Sequence, residues 1–192
     1  LLGDHAAEGI TATTYIRMMA HTAAVNIGVF FGITGRVVTT SSACTSGSQG
    51  IGYAYAMIQS GRQLAMLAGG AEELDATEAA VFDTLFATSV KHNDAPEFTP
   101  RPFDAERDGL VLGEGACTLV LAPERQAKKL TTTKKRVWMK GVGHCTDAFR
   151  LGDRDLADTR ALKKAAKRAY DMAGIVDPRE EIDFAEVYDA FS

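Results

Sequence analysis

One short segment constrains the fold of this chain more than any other. The β-branched residues 37–40 (VVTT) run into Ser41–Gly50, a stretch of small residues around a single cysteine. Apolar residues at helical spacing follow, so the pattern predicts a strand, a turn and a helix from about Thr45 to Ser60, with Gly61 as its C-cap. A thiol at such a turn faces the positive end of the helix dipole, which favours the nucleophilic thiolate. The segment therefore indicates that Cys44 is a nucleophile.

A second interpretation of Cys44 stands beside the first. Cysteine is among the most buried residue types and often packs as a small apolar side chain. No neighbouring base can be identified from the residues around position 44. Spacing alone leaves both interpretations open.

Four ordered motifs extend the pattern from Val38 to Glu124. Together they resemble the nucleophile region of the β-ketoacyl synthases, the condensing enzymes of fatty-acid and polyketide synthesis. This resemblance implies that Cys44 accepts an acyl group and that Phe82 lines the pocket for the acyl chain; the alternative for Phe82 is a core face shared with Leu85 and Phe86. The motifs are VTTSSACTSGSQGIGYAYAMIQSG, AMLAGGAEEL, FDTLFATSVKHNDAP and RPFDAERDGLVLGEGACTLVLAPE.

Beyond residue 136 the resemblance changes. The stretch 137–192 resembles thiolases of the archaeal and sterol-carrier type, in which the phrase YDAF (188–191) stands where an Asn-Glu-Ala-Phe phrase supports the thioester oxyanion. Ketosynthases carry a His-Gly-Thr phrase in this region, and none of the four histidines here precedes Gly-Thr. We therefore expect either a fragment or a chimera. We also expect that this polypeptide alone does not complete a condensation.

The fold class implied by both resemblances is α/β, a thiolase-like fold layered α-β-α-β-α. It is expected to be incomplete, with the later part of the N-terminal half and the first βαβ unit of the C-terminal half. The predicted domains are a ketosynthase-like part (1–124), a basic solvated linker (125–136) and a thiolase-like part (137–192). The predicted elements include helices over 8–27 and 156–175, strands over 64–73, 137–143 and 181–192, and a long ordered loop over 91–109.

Charge and composition exclude several function classes. The formal net charge of −4 argues against a general nucleic-acid surface, and no apolar run is long enough to span a membrane. Three cysteines without CxxC spacing indicate a reducing cytoplasm rather than a disulfide framework. Cys117 is predicted to pack inside an apolar strand, and the pair His144–Cys145 is too small to close a zinc site. No metal, flavin or nicotinamide motif is present, so no cofactor is predicted.

Two charged clusters remain open to two interpretations each. Arg101, Asp104, Arg107 and Asp108 are predicted to form local ion pairs that stiffen the loop, with phosphate binding as the alternative. The basic residues of 125–136 are predicted to be a solvated linker, with contact to an anionic carrier protein or to coenzyme A phosphates as the alternative.

The function implied by the ketosynthase resemblance is decarboxylative Claisen condensation with malonyl-carrier through an acyl group on Cys44. The alternatives are an acetyl-coenzyme A acyltransferase of the thiolase type and a catalytically incomplete or structural subunit. The implied partners are acyl carrier protein or coenzyme A thioesters. A homodimer paired through the strand 37–40 is implied as well.

Overall fold

The computed structural model describes residues 11–130, 135–147 and 150–190. Predictions that fall on residues 1–10, 131–134, 148–149 and 191–192 lie outside the described residues; they include the first turn of the expected helix 8–27. The chain divides into two compact units, Leu1–Ala71 with Cys117–Thr132 and Glu72–Ala116 with Thr133–Ser192.

The described elements comprise helices, two paired strands and two short 3-10 turns. β1 and β2 form a two-stranded sheet. No helix among the described residues is long and apolar enough to cross a bilayer. In chain order the elements are α1 (Ala12–Arg17), α2 (Thr22–Phe30), α3 (Ser46–Gln59), β1 (Met66–Glu72), α4 (Ala76–Thr84), a 3-10 turn (Pro96–Phe98), β2 (Gly115–Leu121), α5 (Glu124–Leu130), a 3-10 turn (Leu151–Asp153), α6 (Arg160–Ala173) and α7 (Pro178–Glu181).

The single helix predicted over 8–27 is wrong, because two helices occupy that region. The Thr22 hydroxyl donates to the carbonyl oxygens of Ile16 and Met19 at 2.9 and 2.7 Å, and so satisfies acceptors that a continuous helix would pair along its backbone. α2 then continues through Gly28 to Phe30, and the chain turns at Gly32 with φ of +62°.

The three strands predicted over 37–40, 137–143 and 181–192 do not form in the described residues. A strand needs a neighbouring backbone for its ladder, and an apolar, β-branched pattern reports only the preference for extended backbone. The segment 137–143 instead runs against α6: a Cβ at Gly143 would lie 1.9 Å from the Ala165 carbonyl oxygen. The segment predicted as the last strand, 181–192, begins with the final residue of α7. From there to residue 190 its backbone is irregular.

The helix that follows the cysteine and the strand predicted over 64–73 are confirmed. α3 and β1 occupy their expected positions, and Gly61 follows α3 with φ of +71°. α6 is likewise confirmed, and it ends at Gly174 in the left-handed conformation. The segment 91–109 is irregular apart from one 3-10 turn, as predicted.

The helix α5 covers the first part of the linker predicted over 125–136, and the solvated character of that linker stays a prediction. Glu124 pairs with Lys128 one helical turn later at 2.6 Å, an arrangement that supports a short charged helix. The division into units also falls elsewhere than at residue 124, since residues 72–116 belong with the second unit.

Candidate active site

Cys44 lies in a tight turn immediately before α3. The turn is closed by two backbone hydrogen bonds, from the Thr45 amide to the Ser42 carbonyl at 3.3 Å and from the Ser46 amide to the Ala43 carbonyl at 3.0 Å. Ala43 adopts φ of +49°, a conformation that L-residues other than glycine, asparagine and aspartate rarely adopt. Such strain costs roughly 1–3 kcal/mol and is concentrated at functional sites.

Hydroxyl groups on both sides of the cysteine hold this turn. Ser46 Oγ donates to the Ala43 carbonyl at 2.6 Å and accepts from the Ser42 amide at 2.9 Å. Thr40 Oγ1 donates to the Ser46 carbonyl at 2.9 Å, which links the extended segment before the turn to the first residue of α3. Residue-by-residue prediction missed this role of Ser46, the first residue of α3, whose N-cap Thr45 makes no side-chain capping bond.

Glycines bring the start of α3 against β1. A Cβ at Gly47 would lie 3.6 Å from the Gly70 amide nitrogen, and one at Gly50 would lie 3.7 Å from the Gly69 carbonyl oxygen. At these distances the start of α3 is in van der Waals contact with the backbone of β1. The start of α3, which directly follows the turn with Cys44, therefore packs against β1.

The thiol of Cys44 is exposed and stands two residues before a helix of 14 residues. Unpaired amides and the helix dipole give this end of α3 a partial positive charge, which stabilises anionic groups placed next to it. The arrangement can therefore hold a thiolate, and also the oxyanion that forms when a thiolate attacks a carbonyl carbon. The exposed thiol does not fit the interpretation of Cys44 as a buried filler, and its role as a nucleophile stays a prediction.

Phe82 lies on α4 in the second unit and is half-buried. The alternative of a core face shared with Leu85 and Phe86 is wrong, because those side chains are 66% and 95% exposed. Both follow the last residue of α4, and Phe86 has φ of +55°. The helical spacing in the sequence therefore continues past the end of the helix.

Arg101 and Asp104 of the 91–109 loop form the predicted local ion pair, whereas Arg107 pairs with the distant Asp189 and Asp108 accepts hydrogen bonds from residues 89–91. Arg101 pairs with Asp104 at 3.1 Å, and Arg107 Nη1 donates to the Asp104 carbonyl at 2.6 Å. The amide of Glu106 and the Arg101 guanidinium hold the pKa of the Asp104 carboxyl below its usual value. The loop is thus stiffened by its own charges.

A long-range contact ties this loop to the end of the chain. Asp189 accepts a hydrogen bond from the Phe103 amide at 2.8 Å and lies 3.6 Å from Arg107 Nε. Asp189 belongs to the YDAF phrase, whose implied role was support of a thioester oxyanion. No periodicity links positions that lie 86 residues apart, so the sequence offered no signal for this contact.

The other two cysteines differ from Cys44 in their surroundings. Cys117 lies on β2 and is exposed, so its predicted packing role is wrong. Cys145 is half-buried, and its Sγ lies 3.9 Å from the Thr146 carbonyl oxygen. Among the described residues, no group of three or more His, Cys, Asp or Glu side chains is arranged to hold a metal ion.

Comparison with known proteins identifies the family. The family model "Beta-ketoacyl synthase, N-terminal domain" matches residues 3–127, which include the turn with Cys44. The chain belongs to the β-ketoacyl synthase family. The fold is accordingly thiolase-like and incomplete, in agreement with the predicted fold class.

Individual relatives agree with the family model. The mitochondrial 3-oxoacyl-(acyl-carrier-protein) synthase of Arabidopsis thaliana is 34% identical over 157 residues, which cover 78% of this chain and 34% of that protein. A crystal structure of a β-ketoacyl synthase from Burkholderia phymatum STM815 is 45% identical, with a TM-score of 0.76, and covers 90% of this chain and 41% of that one. A ketosynthase bound to a hexaketide, in complex with its type II polyketide acyl-carrier protein, is 27% identical with a TM-score of 0.75, covering 87% of this chain and 41% of that one.

These matches also bear on the change of resemblance beyond residue 136. A match that covers 90% of the chain must extend well past residue 124, so the likeness to ketosynthases continues into the part that resembles thiolases. The shared thiolase-like fold accounts for both resemblances. The chain spans about a quarter to a third of the length of the curated relatives that it matches.

Proposed function

We propose that this chain carries the nucleophile of a β-ketoacyl-carrier synthase. The observation that supports the proposal best is the exposed thiol of Cys44, in a strained turn before α3, within the region that the family model matches. Fatty-acid and polyketide synthases are both among the relatives, and both join acyl units by the same reaction. The substrates would be acyl thioesters.

In the first step the Cys44 thiolate attacks the carbonyl carbon of an acyl thioester. The thiolate of the carrier leaves, and the acyl group remains on Cys44 as a new thioester. The negative charge on the carbonyl oxygen develops beside the positive end of α3, where the backbone amide of Cys44 is one donor available to it.

In the second step a malonyl thioester loses carbon dioxide, and the electron pair of the broken carbon–carbon bond remains as an enolate. The enolate attacks the acyl group on Cys44, and the Cys44 thiolate leaves. The product is a β-ketoacyl thioester on the carrier. On the family resemblance, Phe82 of α4, which is half-buried, is proposed to line an acyl-chain pocket.

Intact mass spectrometry after exposure to an acyl-carrier thioester tests the first step. We expect one added acyl group on the wild-type protein and on a Cys117→Ala variant, which removes another exposed thiol. The Cys44→Ala variant should remain unmodified. Acylation of Cys44→Ala at the wild-type rate would overturn the proposal. The same assay with the coenzyme A thioester in place of the carrier thioester identifies the preferred donor.

The proposed partners are acyl carrier protein and a second copy of the chain. Val37 and Val38, in a segment that is neither helix nor strand, are exposed to 46% and 43%, which leaves apolar surface for pairing with an equivalent segment. Sedimentation should show a dimer that Val38→Asp weakens and that Val90→Asp, an exposed valine in the second unit, leaves intact. A dimer unaffected by Val38→Asp would reject this pairing. We further propose a cytoplasmic location, which the three free cysteines support.

A further inference from the structure

The Thr40 side chain lies against the first turn of α3. Its Oγ1 donates to the Ser46 carbonyl oxygen at 2.9 Å, in a part-buried hydrogen bond between residues six positions apart. A Cβ at Gly50 would lie 3.3 Å from the same Oγ1, so the hydroxyl oxygen lies over the helix at a place where a side chain would crowd it. Thr40 is therefore packed against α3 as well as bonded to it.

The Thr40 bond closes a loop that contains Cys44. The cysteine lies between Thr40 and Ser46, the two residues that this bond joins. Inside the loop the Ser42 amide donates to Ser46 Oγ and the Thr45 hydroxyl donates to the Ser42 carbonyl, each at 2.9 Å. These inner bonds fix the shape of the turn, whereas the Thr40 bond fixes the segment before the turn to the helix after it.

Backbone strain beside the cysteine makes this outer bond important. Ala43, directly before Cys44, has φ of +49°. A residue stays in such a conformation only where the surrounding contacts over-determine it. Without the Thr40 bond the loop gains freedom to relax this strain, and the relaxation moves Cys44 relative to the first residues of α3.

We propose that Thr40 is a positioning residue for the Cys44 thiol, which it holds at the start of α3 through the hydrogen bond to the Ser46 carbonyl. This inference rests on the proposed function, in which the Cys44 thiolate is acylated. Thr40 acts through the backbone of α3 and takes no part in the bond changes. Every residue of the argument lies in the first unit.

The test measures the rate of acylation of Cys44 at increasing concentrations of an acyl-carrier thioester. Thr40→Val replaces the hydroxyl by a methyl group of similar size, and Thr39→Val makes the same change at the preceding, exposed residue as the matched control. We expect Thr40→Val to lower the limiting rate roughly tenfold at an unchanged half-saturating concentration, since a misplacement of about 1 Å can cost roughly a hundredfold in rate. Thr39→Val should keep the wild-type values.

A second pair of variants isolates the hydroxyl without an added methyl group. Thr40→Ser keeps the hydroxyl and Thr40→Ala removes it, and neither adds an atom that could crowd Gly50. Thr40→Ser should acylate at close to the wild-type rate, and Thr40→Ala should show the same loss as Thr40→Val. This pair carries the comparison if Thr40→Val does not fold. The alkylation rate of Cys117, an exposed thiol on β2 in the same unit, should be equal in all variants.

Three results would overturn the role of Thr40. The first is an equal limiting rate in Thr40→Ala and Thr40→Ser, because the hydroxyl would then have no effect. The second is a parallel change in the alkylation of Cys117, which would indicate a general loosening of the fold. The third is a raised half-saturating concentration at an unchanged limiting rate, which would indicate altered thioester binding.

Failure of this inference can be told apart from failure of the proposed function. If the Cys44→Ala variant still accepts acyl groups at the wild-type rate, the proposed function is rejected. If acylation requires Cys44 but is the same in Thr40→Ala and Thr40→Ser, only the role of Thr40 is rejected.

Discussion

Ser46 Oγ donates a hydrogen bond of 2.6 Å to the carbonyl oxygen of Ala43, so the first residue of α3 holds the residue before Cys44 in its strained conformation. The same hydroxyl accepts from the Ser42 amide. A single side chain therefore bridges both ends of the turn. The orientation of the Cys44 thiol depends on Ser46, although Ser46 takes no part in the proposed chemistry.

We expect Ser46→Ala to slow acylation of Cys44 and to reduce the free energy of unfolding by about 1 kcal/mol, the usual net contribution of a neutral hydrogen bond at a partly exposed site. Without the hydroxyl, Ala43 can relax from positive φ and move the thiol away from the end of α3. Ser48→Ala, at an exposed position in the same turn of the helix, is the control. Equal acylation rates for both variants would show that Ser46 does not position the thiol.

The three cysteines should react at different rates with an acyl-mimetic electrophile. Cys44 is exposed at the end of a helix, whereas Cys117 is exposed on a strand and Cys145 is half-buried. We expect Cys44 to be alkylated roughly tenfold faster than the others, because its exposed thiol lies beside the partial positive charge of the helix end. Peptide mapping after brief labelling measures each rate. Equal labelling of Cys44 and Cys117 would contradict activation by the turn.

The sequence allowed prediction of α3 and β1 better than of the other strands. Cys44, the helix α3 and the strand β1 follow from local signals, because small residues, helical spacing and terminal glycines act within a few positions of one another. The strands expected over 37–40 and 137–143 depended on partners elsewhere in the chain. A pattern of apolar residues cannot report such partners.

The loop contacts show the same limit. The ion pair of Arg101 with Asp104 spans three positions and could be predicted from alternating charge. The bonds of Asp108 to Ser89 and of Asp189 to Phe103 span 19 and 86 positions, and the residue types involved are common in any loop. Only the folded chain reveals that these carboxylates cap backbone amides.

Gly69 is expected to tolerate no side chain. A Cβ built there would lie 1.9 Å from the Cys117 carbonyl oxygen on β2, a distance that forces the backbone to shift. We expect Gly69→Ala to lower the free energy of unfolding by about 3 kcal/mol, at the upper end of overpacking effects. Gly113→Ala, where no atom lies within 4 Å, is the control. Chemical denaturation of both variants measures the difference, and similar midpoints would contradict the close approach of β1 and β2.

Acid should weaken the three hydrogen bonds that the Asp108 carboxylate accepts from Ser89, Val90 and Lys91. The pKa of this carboxyl falls from the ordinary 3.8 to about 2 because Lys91, Ser89 and Val90 donate hydrogen bonds to its ionised form. A lowered pKa in the folded state means that the stabilisation is fully present above pH 3.8 and is lost as the pH falls toward about 2. The unfolding free energy of the wild type should therefore decline over this range more steeply than that of Asp108→Asn, which has no carboxyl to protonate. Parallel curves for the two proteins between pH 3.8 and about 2 would show that the three hydrogen bonds do not favour the ionised carboxyl in solution.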